Sequence, residues 1–306
     1  GVHVADMDGD GDLDIVSASE QDDTIAWYEN NGNSDPTWTA ADITTSALGA
    51  HGVTVGDING DGHLDIVSAS FDDNTIAWYK NDGNADPTWT SSDIVTDATG
   101  ARNVFLADVD GDGDLDVLSA SQSDDTIAWY KNDGATNPSW TAQDINTSAD
   151  GAYDVFAADV DGDGDLDVVS ASEGDGAITW YENNGATNPS WTSVTIATNA
   201  SGARSVYVAD MDGDGDLDIV SASFTDDTIA WYETDWTTSP NASVTGASCG
   251  SSPDLPAGLS MAAGTCSISG TPTELSTNTT YTIYANYTAS SLQLTTTLYF
   301  TVNDVA

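Results

Sequence analysis

Asp6-Met7-Asp8-Gly9-Asp10-Gly11-Asp12-Leu13-Asp14 decides how the rest of the chain is read. The same nine-residue pattern starts again at Asp57, Asp108, Asp159 and Asp210, each time 51 residues on, with no insertion or deletion. Spacing this regular means one supersecondary unit copied five times. The loop carries the repeat's chemistry. Carboxylates at loop positions 1, 3, 5 and 9 repel one another in a tight turn unless a cation neutralises them. Every ligand on offer is an oxygen, which selects a hard cation, and a small flexible loop suits Ca²⁺ better than the strictly octahedral Mg²⁺. Gly at positions 4 and 6 lets the backbone fold back around the ion.

The candidate metal ligands are therefore Asp6, Asp8, Asp10, Asp12 and Asp14 in the first loop and Asp57, Asn59, Asp61, His63 and Asp65 in the second. Asp108, Asp110, Asp112, Asp114 and Asp116 form the third set, Asp159, Asp161, Asp163, Asp165 and Asp167 the fourth, and Asp210, Asp212, Asp214, Asp216 and Asp218 the fifth. Position 7 contributes by its carbonyl, so it tolerates the change from Asp12 to His63. About one Ca²⁺ per repeat, five in all, is expected. An EF-hand is excluded on two counts. Position 12, where that loop needs a bidentate Glu, is Ser17, Ser68, Ser119, Ser170 or Ser221. The residues that follow, such as Leu13-Asp14-Ile15-Val16-Ser17-Ala18, read as a strand rather than a helix.

Around the loop, each unit shows four strand-like runs, clearest in the second copy: Gly52 to Gly56, Leu64 to Ser70, Thr75 to Tyr79, and Trp89 to Val95. Four strands per unit of this length is the pattern of a propeller blade. The third run carries Trp27-Tyr28, Trp78-Tyr79, Trp129-Tyr130, Trp180-Tyr181 and Trp231-Tyr232. Neighbouring residues on a strand face opposite sides, so one member of each pair is expected to pack and the other to be freer. Trp38, Trp89, Trp140 and Trp191, after a Pro turn, are candidates for a peripheral contact.

The 51 acidic residues stand against four basic ones, a formal net charge of −47. That excludes nucleic acid and anionic membrane surfaces as partners, because no basic face can be assembled. No apolar run is long enough to span a bilayer. Gly1-Val2-His3-Val4 enters the repeat at once, so the sequence reads as a mature form or a fragment. Low-affinity calcium loops operate where calcium is plentiful, and a secreted, extracellular or cell-surface location is expected.

Val4 to Val16 resembles the FG-GAP and VCBS-type repeat, known as a calcium-binding blade in integrin-like propellers and in many secreted microbial proteins. The likeness covers residues 1 to about 233. It implies ligands at positions 1, 3, 5, 7 (by carbonyl) and 9, thus Asp108, Asp110, Asp112, Asp114 and Asp116 in the third copy. The chain departs from it where Ser-Ala-Ser replaces the Gly-Ala-Pro flank and where Asn59 takes position 3, removing one charge.

Beyond Tyr232 the composition turns Ser/Thr-rich. Leu255-Pro256-Ala257-Gly258-Leu259, Ser267-Ile268-Ser269-Gly270-Thr271-Pro272 and the alternating Tyr281-Thr282-Ile283-Tyr284-Ala285 resemble the Ig-like and cadherin-like domains of microbial surface proteins. The expected architecture is thus all-β: a propeller of five four-stranded repeats over 1–235 and a small Ig-like β-sandwich over 236–306. Cys249 and Cys266 form a disulfide in one reading and two buried thiols in the other. Five blades closed on themselves is the first expectation, and a larger ring the second. The fifth copy ends after a third strand, which residues 234 to 245, upstream residues or another subunit would complete.

No nucleophile stands beside a base, and His3, His51 and His63 occupy unmatched positions. A non-catalytic calcium-binding structural or adhesion protein is expected, serving surface attachment or self-assembly into a fibre or layer. Its partners would be further copies of itself, through strand donation or the Ig-like domain, or a glycan or cell-surface protein. The alternatives are a lectin-like recognition module and an accessory part of a secreted polysaccharide-degrading enzyme.

Overall fold

In the computed structural model, residues 1–234 are described in full, together with the backbone of five strands beyond them. The chain divides into two compact units, Gly1–Trp236 and Thr237–Ala306. In the first unit each repeat becomes one antiparallel meander. Its strands are β1 (Val2–Ala5), β2 (Asp14–Ser19), β3 (Thr24–Asn30) and β4 (Trp38–Thr44) in the first sheet, and β5 (Ala50–Gly56), β6 (Asp65–Ser70), β7 (Thr75–Asn81) and β8 (Trp89–Val95) in the second. The third holds β9 (Ala101–Ala107), β10 (Asp116–Ser121), β11 (Thr126–Asn132) and β12 (Trp140–Asn146), and the fourth β13 (Ala152–Ala158), β14 (Asp167–Ser172), β15 (Ala177–Asn183) and β16 (Trp191–Ala197). The fifth shows β17 (Ala203–Ala209), β18 (Asp218–Ser223) and β19 (Thr228–Tyr232). Strand order follows chain order in every sheet. The expected fourth strand of the fifth repeat lies outside the described residues.

The β-branched runs explain the strands, and the register places the repeated side chains identically. Val16 pairs with Trp27, Val67 with Trp78 and Leu118 with Trp129. The first strands β1, β5, β9, β13 and β17 lie side by side in sequence, so the sheets stack face to face as propeller blades do. Four hydrophobic clusters fill the four junctions, each joining residues of two consecutive sheets.

This stacking corrects the expectation for the aromatic pairs. In the second, third and fourth sheets both members are buried: Trp78 and Tyr79, Trp129 and Tyr130, Trp180 and Tyr181. Alternation separates the two onto opposite faces, but each face is covered by a different neighbouring sheet. Tyr79, Tyr130, Tyr181 and Tyr232 place their hydroxyls 3.2–3.4 Å from the buried loop-position-12 residues Ser68, Ser119, Ser170 and Ser221. Trp89, Trp140 and Trp191 are half-buried in the same junctions rather than peripheral. Closure rests on residues 235 to 245, which lie outside the described residues; among those described, first-strand residues of all five sheets, from Gly1 and Val2 to Arg204 and Ser205, line one cavity.

In the second unit the described backbone comprises β20 (Ala247–Ser252), β21 (Leu259–Met261), β22 (Ile268–Gly270), β23 (Ser276–Tyr287) and β24 (Leu292–Val302). They form an antiparallel three-stranded sheet, β20-β23-β24, and a β21-β22 pair. Cys266, and with it the disulfide reading, lies outside the described residues. No helix among those residues is long and apolar enough to cross a membrane.

Candidate metal centre

The acidic loops are the connections from first to second strand in all five sheets, held at one rim by the strands on either side. Gly9 and Gly11 have φ of 77° and 97°, which L side chains rarely adopt. This lets the loop turn its amides inward onto its own carboxylates. Asp6 accepts from Gly9 N (2.8 Å) and Gly11 N (3.0 Å), Asp8 from Asp10 N (3.1 Å) and Asp10 from Asp12 N (2.9 Å). The fifth loop repeats these bonds: Asp210 accepts from Gly213 N and Gly215 N, Asp212 from Asp214 N, and Asp214 from Asp216 N. Asp6 and Asp210 accept at both oxygens, while Asp8, Asp10, Asp212 and Asp214 each accept at Oδ1.

Carboxylate oxygens converge within 4.8 Å of one another in four of the loops: Asp6, Asp8 and Asp10; Asp108, Asp110 and Asp116; Asp159, Asp161 and Asp163; Asp210, Asp212 and Asp218. The second loop brings Asn59 to position 3, where its carbonyl oxygen accepts from Asp61 N at 2.9 Å. Position 7 turns elsewhere. The side chains of Asp12, His63, Asp114 and Asp165 lie over Gly32, Gly83, Gly134 and Gly185 of the turn after the third strand, where any Cβ would collide with them. Asp and His are interchangeable there because that side chain is not directed at the cluster.

Position 9 does two jobs. Asp14, Asp65, Asp116, Asp167 and Asp218 are buried. One oxygen of each accepts from the backbone N–H of Asn30, Asn81, Asn132, Asn183 or Thr234 at 2.8–2.9 Å, tying the loop to the end of the third strand. Burial pushes Asp65, Asp116 and Asp167 up to about 6. Asp8 and Asp161 are also raised, by desolvation first and then by their acidic neighbours.

These residues fit a bound divalent cation. Asp110 Oδ1 and Asp159 Oδ1 are buried carboxylate oxygens with no hydrogen-bond partner, a costly arrangement that a cation relieves. The donor set is all oxygen, as Ca²⁺ requires. When bound, the ion would supply charge neutralisation and crosslink the loop; positions 1, 3, 5 and 9 would hold it by side chain.

Residues 6–68, 57–119, 108–170 and 159–221 match the FG-GAP-like repeat, each match spanning two consecutive loops. The chain belongs to the FG-GAP-like repeat family. Residues 220–303 match the family described as "Putative Ig domain". No curated protein matches the chain. Among solved structures it is similar to a protein from Lactobacillus plantarum (TM-score 0.45, 14% identity, 96% of this chain and 82% of that one). It is also similar to the V. cholerae biofilm matrix protein Bap1 (TM-score 0.47, 16% identity, 98% of this chain and 60% of that one). A third is Pseudomonas aeruginosa periplasmic gluconolactonase PpgL (TM-score 0.43, 12% identity, 96% and 82%). These likenesses concern the fold alone.

The loops of this FG-GAP-like array are not equivalent, and the difference lies in a residue that sequence reasoning passed over. The penultimate residue of the third strand is Lys80 in the second sheet and Lys131 in the third, while Glu29 and Glu182 hold that place in the first and fourth and Glu233 is their counterpart in the fifth. The Lys131 ammonium ion-pairs with Asp110 and lies 3.1 Å from Asp112; Lys80 lies 3.4 Å from Asp61. Burial works to raise Asp61 and Asp112, but amide donors and these ammonium groups hold both below the usual carboxylate range. The signal was available as the Glu-Lys-Lys-Glu-Glu series at the repeat interval.

Proposed function

We propose that the chain is a non-catalytic extracellular scaffold whose acidic loops bind Ca²⁺, the ions stiffening a propeller-like array for surface attachment or assembly. The observation that carries this reading is the convergence of carboxylates in four loops, with buried oxygens left unpartnered at Asp110 and Asp159. Calcium would act on more than its own loop. Asn81, Asn132 and Asn183, at the ends of third strands, donate Nδ2 protons across the junctions to the carbonyls of Met7, Ile58 and Val109 at loop position 2. A loop held by an ion therefore holds the neighbouring sheet as well.

The test is thermal unfolding of the chain in millimolar calcium and again after chelation. The reading expects a large, reversible rise in melting temperature with calcium, since an ion that binds only the folded state stabilises it by mass action. Magnesium should give a smaller rise. Melting unaffected by calcium or chelator would contradict the reading.

A second reading, recognition of a ligand, is favoured by one feature. A cavity of about 270 Å³ among the first strands is lined by His51, Arg102, Asn103, Tyr153, Asp154 and Arg204. Both guanidinium groups lie over the Tyr153 ring, at 5.2 and 5.3 Å, so half of the chain's four fixed cations meet there. A carboxylated glycan would take the places of Glu173 on Arg204 and of Glu20 beside Arg102, and retention on an acidic polysaccharide that Arg102→Ala and Arg204→Ala each abolish would establish it.

A further inference from the structure

The rim opposite the acidic loops carries a second repeated feature. Where the end of one sheet's fourth strand and the linker after it meet the next sheet, the first junction holds a cavity of about 200 Å³ and the second one of about 280 Å³. Their lining residues pair off at the repeat interval: Ser70 with Ser121, Asp73 with Asp124 and Tyr79 with Tyr130. Protein interiors otherwise fill their voids, so a cavity that recurs with equivalent walls belongs to the design of the junction.

The second-junction cavity has a polar, unsatisfied floor. Ser121 is 0% exposed and its Oγ has no hydrogen-bond partner. Asp124 Oδ1 is also buried without one, although Oδ2 accepts from Thr99 N at 3.0 Å. Unpaired groups of this kind cost free energy that a ligand recovers. Asp97 and Asp144 line the same cavity with exposed side chains, and no Lys, Arg or His joins them. Ser119 Oγ donates to the Tyr130 hydroxyl at 3.4 Å, which leaves the phenol proton for the cavity. Burial first, and then the facing carboxylates, push Tyr130 up to about 12, so that proton is retained. Val95, Ala98, Ala128 and Ala142 supply apolar wall.

These groups define the ligand. Three carboxylates without a basic partner require a cation. Among the described residues, the carboxylates whose oxygens lie within 4.8 Å of one another are those of the loops. The three here surround a space instead, and it far exceeds the roughly 10–15 Å³ that a single water needs. An ammonium group offers three donors and no acceptor, which suits Asp124 Oδ1 and its neighbours. The Tyr130 proton needs an acceptor and Ser121 Oγ a donor, and one hydroxyl supplies both. We propose that the junction cavities bind an amino sugar, its ammonium against Asp124 and Asp144 and an adjacent hydroxyl between Tyr130 and Ser121. The first-junction cavity, with Asp73 and Asp93, is the weaker site, because both oxygens of Asp73 already accept, from Thr75 N and Leu48 N. The third junction lacks the site: Asn146 Nδ2 donates to the Tyr181 hydroxyl at 2.9 Å, and Ser148 and Thr195 stand in place of Asp97 and Asp144. Two sites on successive sheets favour a glucosamine polymer over the single sugar through avidity. The proposal stands apart from the calcium reading, because it uses no loop carboxylate.

The experiment is an NMR and calorimetric titration of the full chain with a glucosamine oligomer, its N-acetylated form and spermidine. Mildly acidic pH keeps the amine charged, and millimolar calcium with moderate salt screens diffuse attraction to the net charge of −47. The glucosamine oligomer should shift the amides of Ala98, Ala128 and Tyr130 and leave that of Ala149, the third-junction counterpart of Ala98, in place. The N-acetylated form should bind about tenfold more weakly, for want of the charge, and spermidine more weakly for want of the hydroxyl. Asp124→Asn and Asp144→Asn should each weaken binding about fourfold, the effect of one unit charge about 5 Å away in a water-like dielectric. Asp144 is exposed, so its variant folds whatever the fate of the other. Asp86→Asn, which removes the same charge from an exposed turn, should change nothing. No binding, equal binding of the acetylated oligomer or of spermidine, or equal weakening by Asp86→Asn and Asp144→Asn would each overturn the proposal.

Discussion

Lys131 illustrates how one side chain can set the strength of a site it does not form. Its ammonium lies against Asp110 and Asp112, neutralising the carboxylates that would otherwise draw a divalent ion. Replacing it by Gln should tighten calcium binding at the third loop by about tenfold, the effect of one elementary charge about 6 Å from a divalent ion in a water-like dielectric; site-resolved NMR titration would read it, and unchanged affinity would show that the ammonium moves aside freely. Protonation gives a second residue-scale prediction. Burial raises Asp65, Asp116 and Asp167 to about 6, above the unfolded carboxylate near 3.9. The folded state therefore binds more protons than the unfolded one between those values, and the stabilisation present at low pH is lost as pH rises through 6. Calcium-free protein should melt higher at about pH 5 than at about pH 7, and calcium should narrow the gap; equal melting at both, measured by calorimetry, would count against buried protonated carboxylates. The loop positions were legible because the pattern recurs in register five times. Lys80 and Lys131 were not, because they were read as part of a global charge balance rather than by their place in the repeat.

At the scale of the strand, position in the stack decides what an identical residue contributes. Trp129 is enclosed between the third and fourth sheets and Trp231 lies on an open face. Trp129→Ala should therefore cost about 3–5 kcal/mol, as for large buried aromatics, and Trp231→Ala less than about 1 kcal/mol at concentrations where the chain is monomeric. Urea unfolding followed by fluorescence measures both, and equal losses would contradict the assigned burial. Strand locations were readable from β-branched runs and turn residues, since those preferences are local. The fate of the Trp-Tyr pairs was not. Alternation tells which residues share a face but not whether both faces are covered, and in a stacked blade they are. Position 9 was read as a ligand alone; its bond to the backbone of Asn30 and its equivalents depends on a strand pairing that the loop sequence does not display.

At the scale of the whole array, five copies predict repetition but not closure. Closure depends on the rotation between consecutive sheets, a sum of small packing angles that no single residue encodes. The repeated junctions also couple the loops, since Asn81, Asn132 and Asn183 each bridge two sheets at a loop carbonyl. The central claim is that the acidic loops are calcium sites, graded by the residue that faces them. Isothermal titration of calcium into chelator-treated protein tests it most directly. The account predicts about five ions per chain in two classes: three tighter, in the first, fourth and fifth loops with their Glu neighbours, and two weaker, in the second and third, where Lys80 and Lys131 compete. An absence of binding heat up to millimolar calcium, confirmed by equilibrium dialysis, would contradict it.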